Sequence, residues 1–537
     1  MLRSIGALES THFDVLVVGG GILGASIARD SALRGLTVAL VERGDFAGAT
    51  SGNSLKIIHG GLRYLQHLDI ARVRSSIRER STWLRIAPHL VEALPVLVPC
   101  YPNGLRRRSL LRLALLVNDA IGWDTNETLL PERQLPRGRA LSYRETLDLV
   151  PELDRRALSG GVLFHDAQMY SSERVVLEVI QSAAANGARI VNHAEVDGPL
   201  MRRGCIDGTR VRDRLTGDRF ELRARCIVNA AGPATASVAA MLLEARLQPE
   251  IAHSVALNVM IPSMQHRVAF ALSGETSDPD AIVGLGARQL FFTPWRGRTI
   301  IGTGHYPHDG DAAAYRLSER DVQRFIGEVN SAWRGAAIQP ENVVLVHSGL
   351  IPGATGPGVQ LLKRDRVIDH RTHGAPALIS VVGIKFTTSR RLAERVVDLV
   401  LRKLGRAAPS CRTATITLPG APASLEALRA EAAARSSGAL PPDILEHLLR
   451  TYGREYTKVL AYRATLPAWN ERVDPGSPVI IAQLAHAVDA EMAQTVEDVL
   501  LRRVELGARD AVTQRAVDLV EEFLASFRNR AAATTIR

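Results

Sequence analysis

FDVLVVGGGILGASIARDSALRGLTVALVERGD, residues 13–45, decides the fold that we expect for this chain. The apolar and mostly β-branched run from Val15 to Val18 predicts a buried strand. Apolar residues at helical spacing then predict a helix from Ile22 to Arg34, and a second strand is expected from Leu36 to Val41. The stretch therefore predicts a strand, a glycine-rich turn, a helix and a second strand.

The glycines of this turn have the spacing of a dinucleotide-binding fingerprint. Gly19, Gly21 and Gly24 occupy the G-x-G-x-x-G positions, which serve a tight turn, close approach of backbone to a pyrophosphate, and packing of the helix on the strand. Glu42 follows the loop by about 20 residues, where a ribose hydroxyl needs an acceptor. An acid at this position argues against a 2′-phosphate, so the ligand is FAD or NAD.

The next stretch distinguishes these two ligands. GDFAGATSGNSLKIIHGGLRYLQHLD, residues 44–69, is rich in glycine and small polar residues. It resembles the ATSxxxSKxIHGGLRYL segment of the FAD-dependent glycerol-3-phosphate dehydrogenases of the aerobic, quinone-linked type. The resemblance implies FAD as the cofactor. We expect FAD to be bound non-covalently, because no His or Cys stands out as an attachment point.

Later segments extend the resemblance over nearly the whole chain. RCIVNAAGPAT (225–235) predicts a buried strand, and its resemblance to glycine-fingerprint flavoproteins implies that the chain returns to the cofactor there. ALISVVGIKFTTSRRLAERVVDLVLRKLG (377–405) predicts a strand, a turn and an amphipathic helix. From about Pro409 a linker leads into a helical region, where helical spacing of apolar residues runs from Ile480 to Leu500 and a last helix is marked by Val517, Val520 and Leu524.

These patterns and the resemblance predict an α/β FAD-binding Rossmann-like domain with an inserted antiparallel-sheet substrate domain and a C-terminal all-helical domain. Alternating apolar residues at 255–262, 288–295 and 298–306 indicate the antiparallel strands. We expect a discontinuous FAD-binding domain at 12–80, 155–235 and 345–405, a substrate or cap domain at 81–154 and 236–344, and the helical domain at 410–537.

The fingerprint and the resemblance together imply a set of cofactor contacts. The set is Gly19, Gly20, Gly21, Gly24, Glu42, Arg43, Thr50, Ser51, Ser54, His59, Gly60, Gly61, Val196, Ala231, Gly232 and Thr387.

The resemblance also implies a reaction, in which a hydride passes from C2 of sn-glycerol 3-phosphate to FAD, a base removes the hydroxyl proton, and dihydroxyacetone phosphate forms. Carried over by motif, Arg63 and Tyr64 of HGGLRYL, Arg364 of the KRD segment and Lys385 of GIKFTT are the implied substrate contacts. Arginine suits a phosphate because its fork binds two oxygens at once. A cation at Lys385, near the isoalloxazine carbonyls or the substrate, favours hydride acceptance.

One departure from the family pattern concerns the phosphate. Where the family has SGxRPL, this chain reads HSGLIPG (347–353), so Ile351 replaces an arginine expected to hold phosphate. Loss of one charge-assisted contact costs on the order of 2 kcal/mol, which corresponds to a roughly thirtyfold weaker complex.

Further departures concern the base and the surroundings of the substrate. Asn258 stands at the histidine of the family's GSH segment, and an amide cannot act as a base at neutral pH. His253 and His305 are both candidates to replace that histidine. The family's D-D-A-R stretch reads SSER at 171–174, and Ala234 stands where a tryptophan is expected after NAAGP.

Three functions remain open on these observations. The first is a glycerol-3-phosphate dehydrogenase with a rebuilt phosphate site. The second is an FAD-dependent oxidoreductase of the same scaffold that acts on a different hydroxylated, less charged substrate. The third is a flavin-binding protein without turnover.

The charge of the chain does not indicate a nucleic-acid partner. The formal net charge is +10, but the basic residues are spread along the chain and almost all are arginine. The four cysteines, Cys100, Cys205, Cys226 and Cys411, lie far apart and form no CxxC, so we expect reduced thiols and no metal.

One local exception is LRRRSLLRLALLVNDAIGW, residues 105–123, where a basic cluster leads into an apolar helix-like segment. Such a segment packs as an ordinary helix or lies on acidic lipid. The resemblance favours lipid, since bacterial members are commonly peripheral membrane enzymes that reduce quinone. Quinone and oxygen both remain open as electron acceptors. No apolar run reaches the roughly 18 residues of a spanning helix, so we expect a cytoplasmic protein, with peripheral attachment to the inner face of the cell membrane as the alternative.

Overall fold

The protein forms two compact units in a computed structural model that describes residues 1, 3–102, 107–244, 251–277, 286–308, 310–353, 361–407, 409–436, 440–464 and 467–535. The first unit comprises Met1–Gly52, Ser171–His253 and Ile351–Arg537. The second unit comprises Asn53–Tyr170 and Ser254–Leu350. The division into three domains stays a prediction.

Strands and helices are distributed over the whole described chain. The strands are β1 His12–Val18, β2 Val38–Val41, β3 Ile57–Ile58, β4 Val91–Cys100, β5 Arg139–Leu141, β6 Gly160–Met169, β7 Arg189–Val191, β8 Ala194–Arg202, β9 Cys205–Asp213, β10 Arg219–Asn229, β11 Ala252–Pro262, β12 Ala269–Ser277, β13 Ala287–Trp295, β14 Arg298–His308, β15 Leu345–Gly353, β16 Arg366–Asp369 and β17 Leu378–Val382. The helices are α1 Gly6–Glu9, α2 Ile22–Leu33, α3 Ile70–Ile86, α4 Arg108–Ile121, α5 Tyr143–Leu149, α6 Ser172–Ala185, α7 Thr235–Leu242, α8 Glu319–Ala332, α9 Ser389–Leu404, α10 Leu425–Ser436, α11 Pro442–Tyr452, α12 Tyr456–Leu460, α13 Ile481–Ala490 and α14 Gln514–Thr535.

The first unit is built on a sheet whose main path runs β16-β17-β10-β1-β2-β7. β1 is parallel to both β10 and β2, β17 is parallel to β10, and the antiparallel strands β8 and β9 extend the sheet from β10. This is the predicted α/β architecture, with α2 following β1 as expected. β2 begins at Val38 rather than Leu36, because the Leu36 N–H donates to the Ser31 carbonyl and closes the end of α2.

The second sheet has the order β15-β11-β14-β13-β12-β4-β6-β3, with β5 beside β6. The pair β13–β14 is antiparallel, as predicted. The pairs β12–β13 and β4–β6 are also antiparallel, although the sequence did not predict β4, β6 or β12 as strands. β4 and β12 pair in parallel, however, so the sheet is mixed. The core on one side of this sheet is aromatic and aliphatic, and it includes Leu257, Phe270, Phe292 and Trp333.

The C-terminal part of the first unit is helical, as predicted, but the helical stripe expected from Ile480 to Leu500 is interrupted. α13 ends at Ala490, and Met492 has a left-handed backbone with φ of 61°. The Asp498 carboxylate then accepts hydrogen bonds from the Gln494 and Thr495 N–H groups, which starts a separate π-helical turn, Asp498–Arg503. Apolar spacing alone predicted one continuous helix, because a carboxylate that caps a new turn leaves that spacing unchanged.

The basic and apolar segment at 105–123 contains α4, while residues 105 and 106 lie outside the described chain. Leu111 and Leu115 pack inward on the core beneath β4 and β6. A second face is exposed and apolar, and its residues are Leu110, Leu113, Leu116 and Val117. The helices in the described ranges are all too short or too polar to cross a membrane.

Candidate functional site

The glycine-rich turn between β1 and α2 brings the helix unusually close to the strand. Gly19 has φ of 108°, and a Cβ there would lie 2.6 Å from the Ala230 carbonyl oxygen. A Cβ at Gly24 would lie 1.9 Å from the Gly19 carbonyl oxygen. Both positions therefore require glycine, for backbone angle and for packing as predicted from their spacing.

Glu42 lies beside this turn, at the carboxyl end of β2. Its Oε2 accepts a hydrogen bond of 2.6 Å from the Gly20 N–H, and its Oε1 accepts one of 2.8 Å from the Gly44 N–H. Burial raises the pKa of the Glu42 carboxyl, although both backbone hydrogen bonds oppose that rise. A Cβ at Gly20 would lie 2.8 Å from Phe46, so the acid and the loop that follows it enclose the turn.

The start of α2 presents bare glycine backbone next to Ser51. Ser51 Oγ accepts a 3.0 Å hydrogen bond from the Ile22 N–H in the first turn, and a Cβ at Gly21 would lie 3.0 Å from the same oxygen. Bare glycine backbone at the positive end of a helix suits a pyrophosphate. The cradle fits the dinucleotide part of FAD, with Thr50 half-buried next to Ser51.

The other predicted cofactor residues of the first unit lie on neighbouring elements. The Ala230 N–H donates to the Val18 carbonyl, which brings Ala231 and Gly232 to the turn at Gly19. Val196 is buried in β8, and Thr387 is buried in the turn between β17 and α9. Arg43 differs from them, because its side chain is exposed.

The HGGLRYL segment and Ser54 belong to the second unit. The Gly60 N–H donates to Asp166 Oδ1 over 2.6 Å, and the buried Arg80 guanidinium holds the same oxygen at 2.9 Å. Gly61 has φ of 81° and begins a 3₁₀ turn, Leu62–His67. The His59 ring meets the Tyr64 ring edge-on at 5.8 Å, and Ser54 Oγ accepts from the Lys56 N–H.

Arg63 and His305 both lie in the second unit, within electrostatic range of each other. Burial and the charges of Arg288 and Arg63 lower the pKa of His305 to about 3. Its imidazole is therefore neutral at pH 7, and its Nδ1 is buried without a hydrogen-bond partner among the described residues. Tyr64 is buried under the Arg72 guanidinium, 3.9 Å from the ring centre, so its ring is packed in the core.

Arg364 and Lys385 come close together within the first unit. The carboxylate of Asp365 accepts a 3.0 Å hydrogen bond from the Ile384 N–H, which ties the KRD segment to the GIKFTT turn. Arg364 is exposed and Lys385 is half-buried. Ile351 is half-buried near the end of β15.

The residues that depart from the family pattern have distinct surroundings. Asn258 is buried in β11, and its Oδ1 accepts a 2.9 Å hydrogen bond from the Thr303 hydroxyl. His253 is half-buried in the same strand. Ala234 is half-buried in a 3₁₀ turn after β10.

The SSER stretch caps a helix and contributes to a buried ion pair. Ser171 Oγ accepts from the Arg174 N–H and caps α6. The Arg174 side chain pairs with Glu491 at 2.5 Å, and 3% and 0% of the two side chains are exposed. This pair was not predictable from the sequence, because its members lie far apart along the chain.

Sequence reasoning also missed Asp45, which lies three residues beyond Glu42 and is fully buried. Arg502 and Arg503 of the π-helical turn both bind its carboxylate. The available signal was the pair of adjacent arginines and Asp498 within an otherwise apolar helical stripe, since unpaired charges are rarely buried.

Among the described residues, no group of three or more His, Cys, Asp or Glu side chains is placed so that it could hold a metal ion. Cys100, Cys205, Cys226 and Cys411 are free thiols.

Comparison with known proteins defines the class of this protein. Residues 14–399 match the family model described as FAD dependent oxidoreductase, and residues 411–532 match the C-terminal domain of alpha-glycerophosphate oxidase. The first match spans well over half of the chain and contains the glycine turn, Glu42 and Lys385. The chain is therefore an FAD-dependent oxidoreductase.

Full-length relatives narrow the class to one family. The chain is 33% identical to a glycerol-3-phosphate dehydrogenase of Synechocystis sp., over 94% of this chain and 91% of that protein. It is 34% identical to glycerol-3-phosphate dehydrogenase 1 of Mycobacterium tuberculosis, over 95% and 94%. The FAD complex of the Bacillus halodurans glycerol-3-phosphate dehydrogenase has the same fold, with a TM-score of 0.76 at 24% identity over 98% of this chain and 95% of that one. The chain belongs to the FAD-dependent glycerol-3-phosphate dehydrogenase family.

Proposed function

We propose that this protein oxidises sn-glycerol 3-phosphate to dihydroxyacetone phosphate. The observation that carries the proposal is the neutral His305 imidazole of the second unit, which lies within electrostatic range of the Arg63 guanidinium and whose Nδ1 has no hydrogen-bond partner among the described residues, because the reaction needs both an anion-binding group and a base. The full-length relatives support it, since they carry that activity in their names.

The glycine turn, Glu42 and Ser51 are the proposed binding site for the dinucleotide part of FAD. Bound FAD supplies the acceptor for the hydride that leaves C2 of the substrate. Glu42 would accept hydrogen bonds from a ribose, and the start of α2 would hold the pyrophosphate. We expect non-covalent binding, so the flavin colour should stay in the supernatant after acid precipitation of the protein.

The other proposed site residues bind the substrate or transfer its proton. In the second unit, Arg63 is the proposed phosphate-binding cation and His305 the proposed acceptor of the hydroxyl proton. In the first unit, Arg364 and Lys385 are the proposed cations for the phosphate or the developing charge. A pKa near 3 makes His305 a weak base in the free protein. A bound phosphate dianion would offset the charge of Arg63 and raise that pKa towards a useful range.

The experiment that tests the substrate is anaerobic reduction of the bound flavin. Rapid bleaching of the flavin absorbance by sn-glycerol 3-phosphate is the expected result. Bleaching only by unphosphorylated or larger alcohols would contradict it and support the second function, an oxidoreductase for a less charged substrate. Ile351 favours that second function, because its half-buried apolar side chain replaces a phosphate-binding arginine of the family motif.

The exposed face of α4 is the proposed contact with an anionic lipid surface. Leu113 and Leu116 are 56% and 58% exposed, and Trp123, just beyond the helix, is 72% exposed. The exposed Arg108 and Arg112 lie on the same helix, which gives it the basic and apolar composition of an interfacial helix. Quinone is then the proposed acceptor, because it resides in the membrane, and rapid reoxidation by oxygen alone would count against it.

Co-sedimentation with anionic vesicles at low salt tests this lipid contact. The variant Leu113→Gln/Leu116→Gln should lose most of the vesicle-bound fraction, because each buried apolar side chain contributes about 1.5–3 kcal/mol. Leu215→Gln is the matched control, because Leu215 is also exposed but lies outside α4. Equal sedimentation of both variants would refute the proposal.

A further inference from the structure

A buried carboxylate joins the C-terminal helical part of the first unit to the loop that follows Glu42. Arg503 Nη1 and Nη2 donate to Asp45 Oδ2 and Oδ1 over 2.7 and 2.8 Å, and Arg502 Nε donates to Oδ2 over 2.7 Å. Only 1% of the Arg503 side chain and 0% of the Asp45 side chain are exposed. Asn192 Nδ2 completes the set of donors at 2.9 Å.

The loop held in this way is continuous with the proposed ribose site. Glu42 binds the N–H groups of Gly20 and Gly44, and the Ala47 N–H donates to the Gly20 carbonyl. Residues 42–47 therefore wrap around the glycine turn, and Asp45 is the point at which the two arginines bind them.

The arginines themselves are rigidly placed. They lie in the π-helical turn, which is closed by a 3.0 Å hydrogen bond from the Val504 N–H to the Val499 carbonyl. Arg502 also binds Asp498, and Asp498 binds the His193 ring at 2.8 Å. The His193 N–H donates to the Gly44 carbonyl, so the network returns to the same loop.

We propose that Arg502 and Arg503 are positioning residues that fix the 42–47 loop and thereby set the affinity for FAD. The inference rests on the proposed assignment of Glu42 to the ribose. A carboxylate removed from water needs charged partners, and Arg502 and Arg503 provide them at fixed positions in the π-helical turn. The loop that carries Asp45 is therefore held in place before the cofactor binds. The C-terminal helical part is thus a component of the cofactor site and not only a neighbouring domain.

The test is titration of apoprotein with FAD, followed by flavin fluorescence. Arg503→Gln should weaken FAD binding by about 10- to 100-fold, the usual scale for losing a residue that orients a ligating group. The affinity for ADP, measured by competition with FAD, should fall by the same factor, because the defect lies at the ribose site. Arg503→Lys should recover part of the affinity, since it keeps the charge but not the two-pronged geometry. Asp45→Asn provides a second variant with the same expected defect in case Arg503→Gln fails to fold.

A matched control separates positioning from general loss of stability. Arg34→Gln breaks another buried ion pair of the first unit, with Asp30, and should lower the unfolding temperature without changing the FAD dissociation constant. If Arg503→Gln and Asp45→Asn behave like Arg34→Gln, the inference is wrong.

Glu42→Gln separates this inference from the assignment beneath it. Unchanged FAD affinity in Glu42→Gln would overturn the ribose assignment. Weakened affinity in Glu42→Gln but not in Arg503→Gln would overturn only the positioning role. If both assignments hold, the fold-loss of FAD affinity in the double variant Glu42→Gln/Arg503→Gln should be smaller than the product of the two single fold-losses, because the two residues act through one contact.

Discussion

Position 351 shows how one side chain bears on substrate choice. The chain has a half-buried isoleucine in β15, where the motif of the resembling dehydrogenases has an arginine. Of the remaining candidates for phosphate binding, Arg63 and Arg364 are exposed and Lys385 is half-buried. Exposed cations bind a dianion more weakly than buried ones because water and salt screen the interaction.

Ile351→Arg should therefore strengthen the binding of sn-glycerol 3-phosphate. One restored charge-assisted contact is worth about 2 kcal/mol, so KM should fall by about thirtyfold with little change in kcat. Steady-state kinetics against a soluble electron acceptor measures the change, and Ile351→Leu is the size control. An unchanged KM in Ile351→Arg would mean that this position does not face the phosphate.

His305 carries a second prediction at this scale. A base must be unprotonated, and with a pKa of about 3 the imidazole stays neutral as pH falls from 8 to 5. After correction for ionisation of the substrate phosphate, kcat/KM should therefore not fall through a group of pKa 6.5 over this range. His305→Asn should lower kcat by about 10²- to 10⁴-fold. Full activity of His305→Asn would contradict the assignment of His305 as the base and leave His253 as the candidate.

Residues with local roles were predictable from the sequence, and residues with remote partners were not. The spacing of Gly19, Gly24 and Glu42 encodes a turn and an acid within one short stretch, so their places followed from pattern. Asp45 and Arg503 are 458 residues apart, and no periodicity links them. Pairing across such a distance is decided by the folded chain alone.

Among the elements, strands and helices with clear periodicity were predicted well. β13 and β14 and the helices α2 and α9 lie where apolar spacing indicated. The parallel pair β4–β12 was not predicted, because its strands are far apart in sequence and an alternating pattern carries no information about the neighbouring strand. The break between α13 and the π-helical turn was missed because a capping carboxylate does not disturb apolar spacing.

The helix α8 offers a stability prediction for a single element. Gly327 is exposed within it, and a Cβ there would meet no atom of the described chain within 4 Å. Gly327→Ala should raise the free energy of unfolding by roughly 0.5–1 kcal/mol, because alanine has the higher helix propensity. Urea denaturation followed by circular dichroism measures it. Gly405→Ala, at a φ of 64° after α9, is the contrasting control and should destabilise.

On the scale of the whole molecule, stability depends on buried charges between distant segments. Burial alone would raise the pKa of Glu491, but the charge of Arg174 and the hydrogen bond from His486 hold it well below its usual range. A carboxyl whose pKa is depressed by folding adds stability above the unfolded pKa, and this stability is lost as pH falls through the folded value. The Arg174–Glu491 pair should therefore stabilise the protein at neutral pH.

Glu491→Gln should lower the free energy of unfolding by about 3–5 kcal/mol at pH 7, because it leaves Arg174 buried without a countercharge. The difference from the unchanged protein should be constant from pH 8 to about 5.5 and narrow below about pH 4.3, where the unfolded carboxyl takes up a proton. Urea denaturation across this pH range measures the difference. A difference that widened on acidification would contradict the assignment.

The ion pairs at Asp45 also have a consequence for folding during synthesis. The loop leaves the ribosome early in synthesis, whereas its two arginine partners emerge more than 450 residues later. A nascent chain that has completed the glycine turn therefore still has an unanchored segment beside it. Premature stop codons in the last few dozen positions should for this reason give pale, flavin-poor polypeptide even when the nucleotide-binding sheet has already formed.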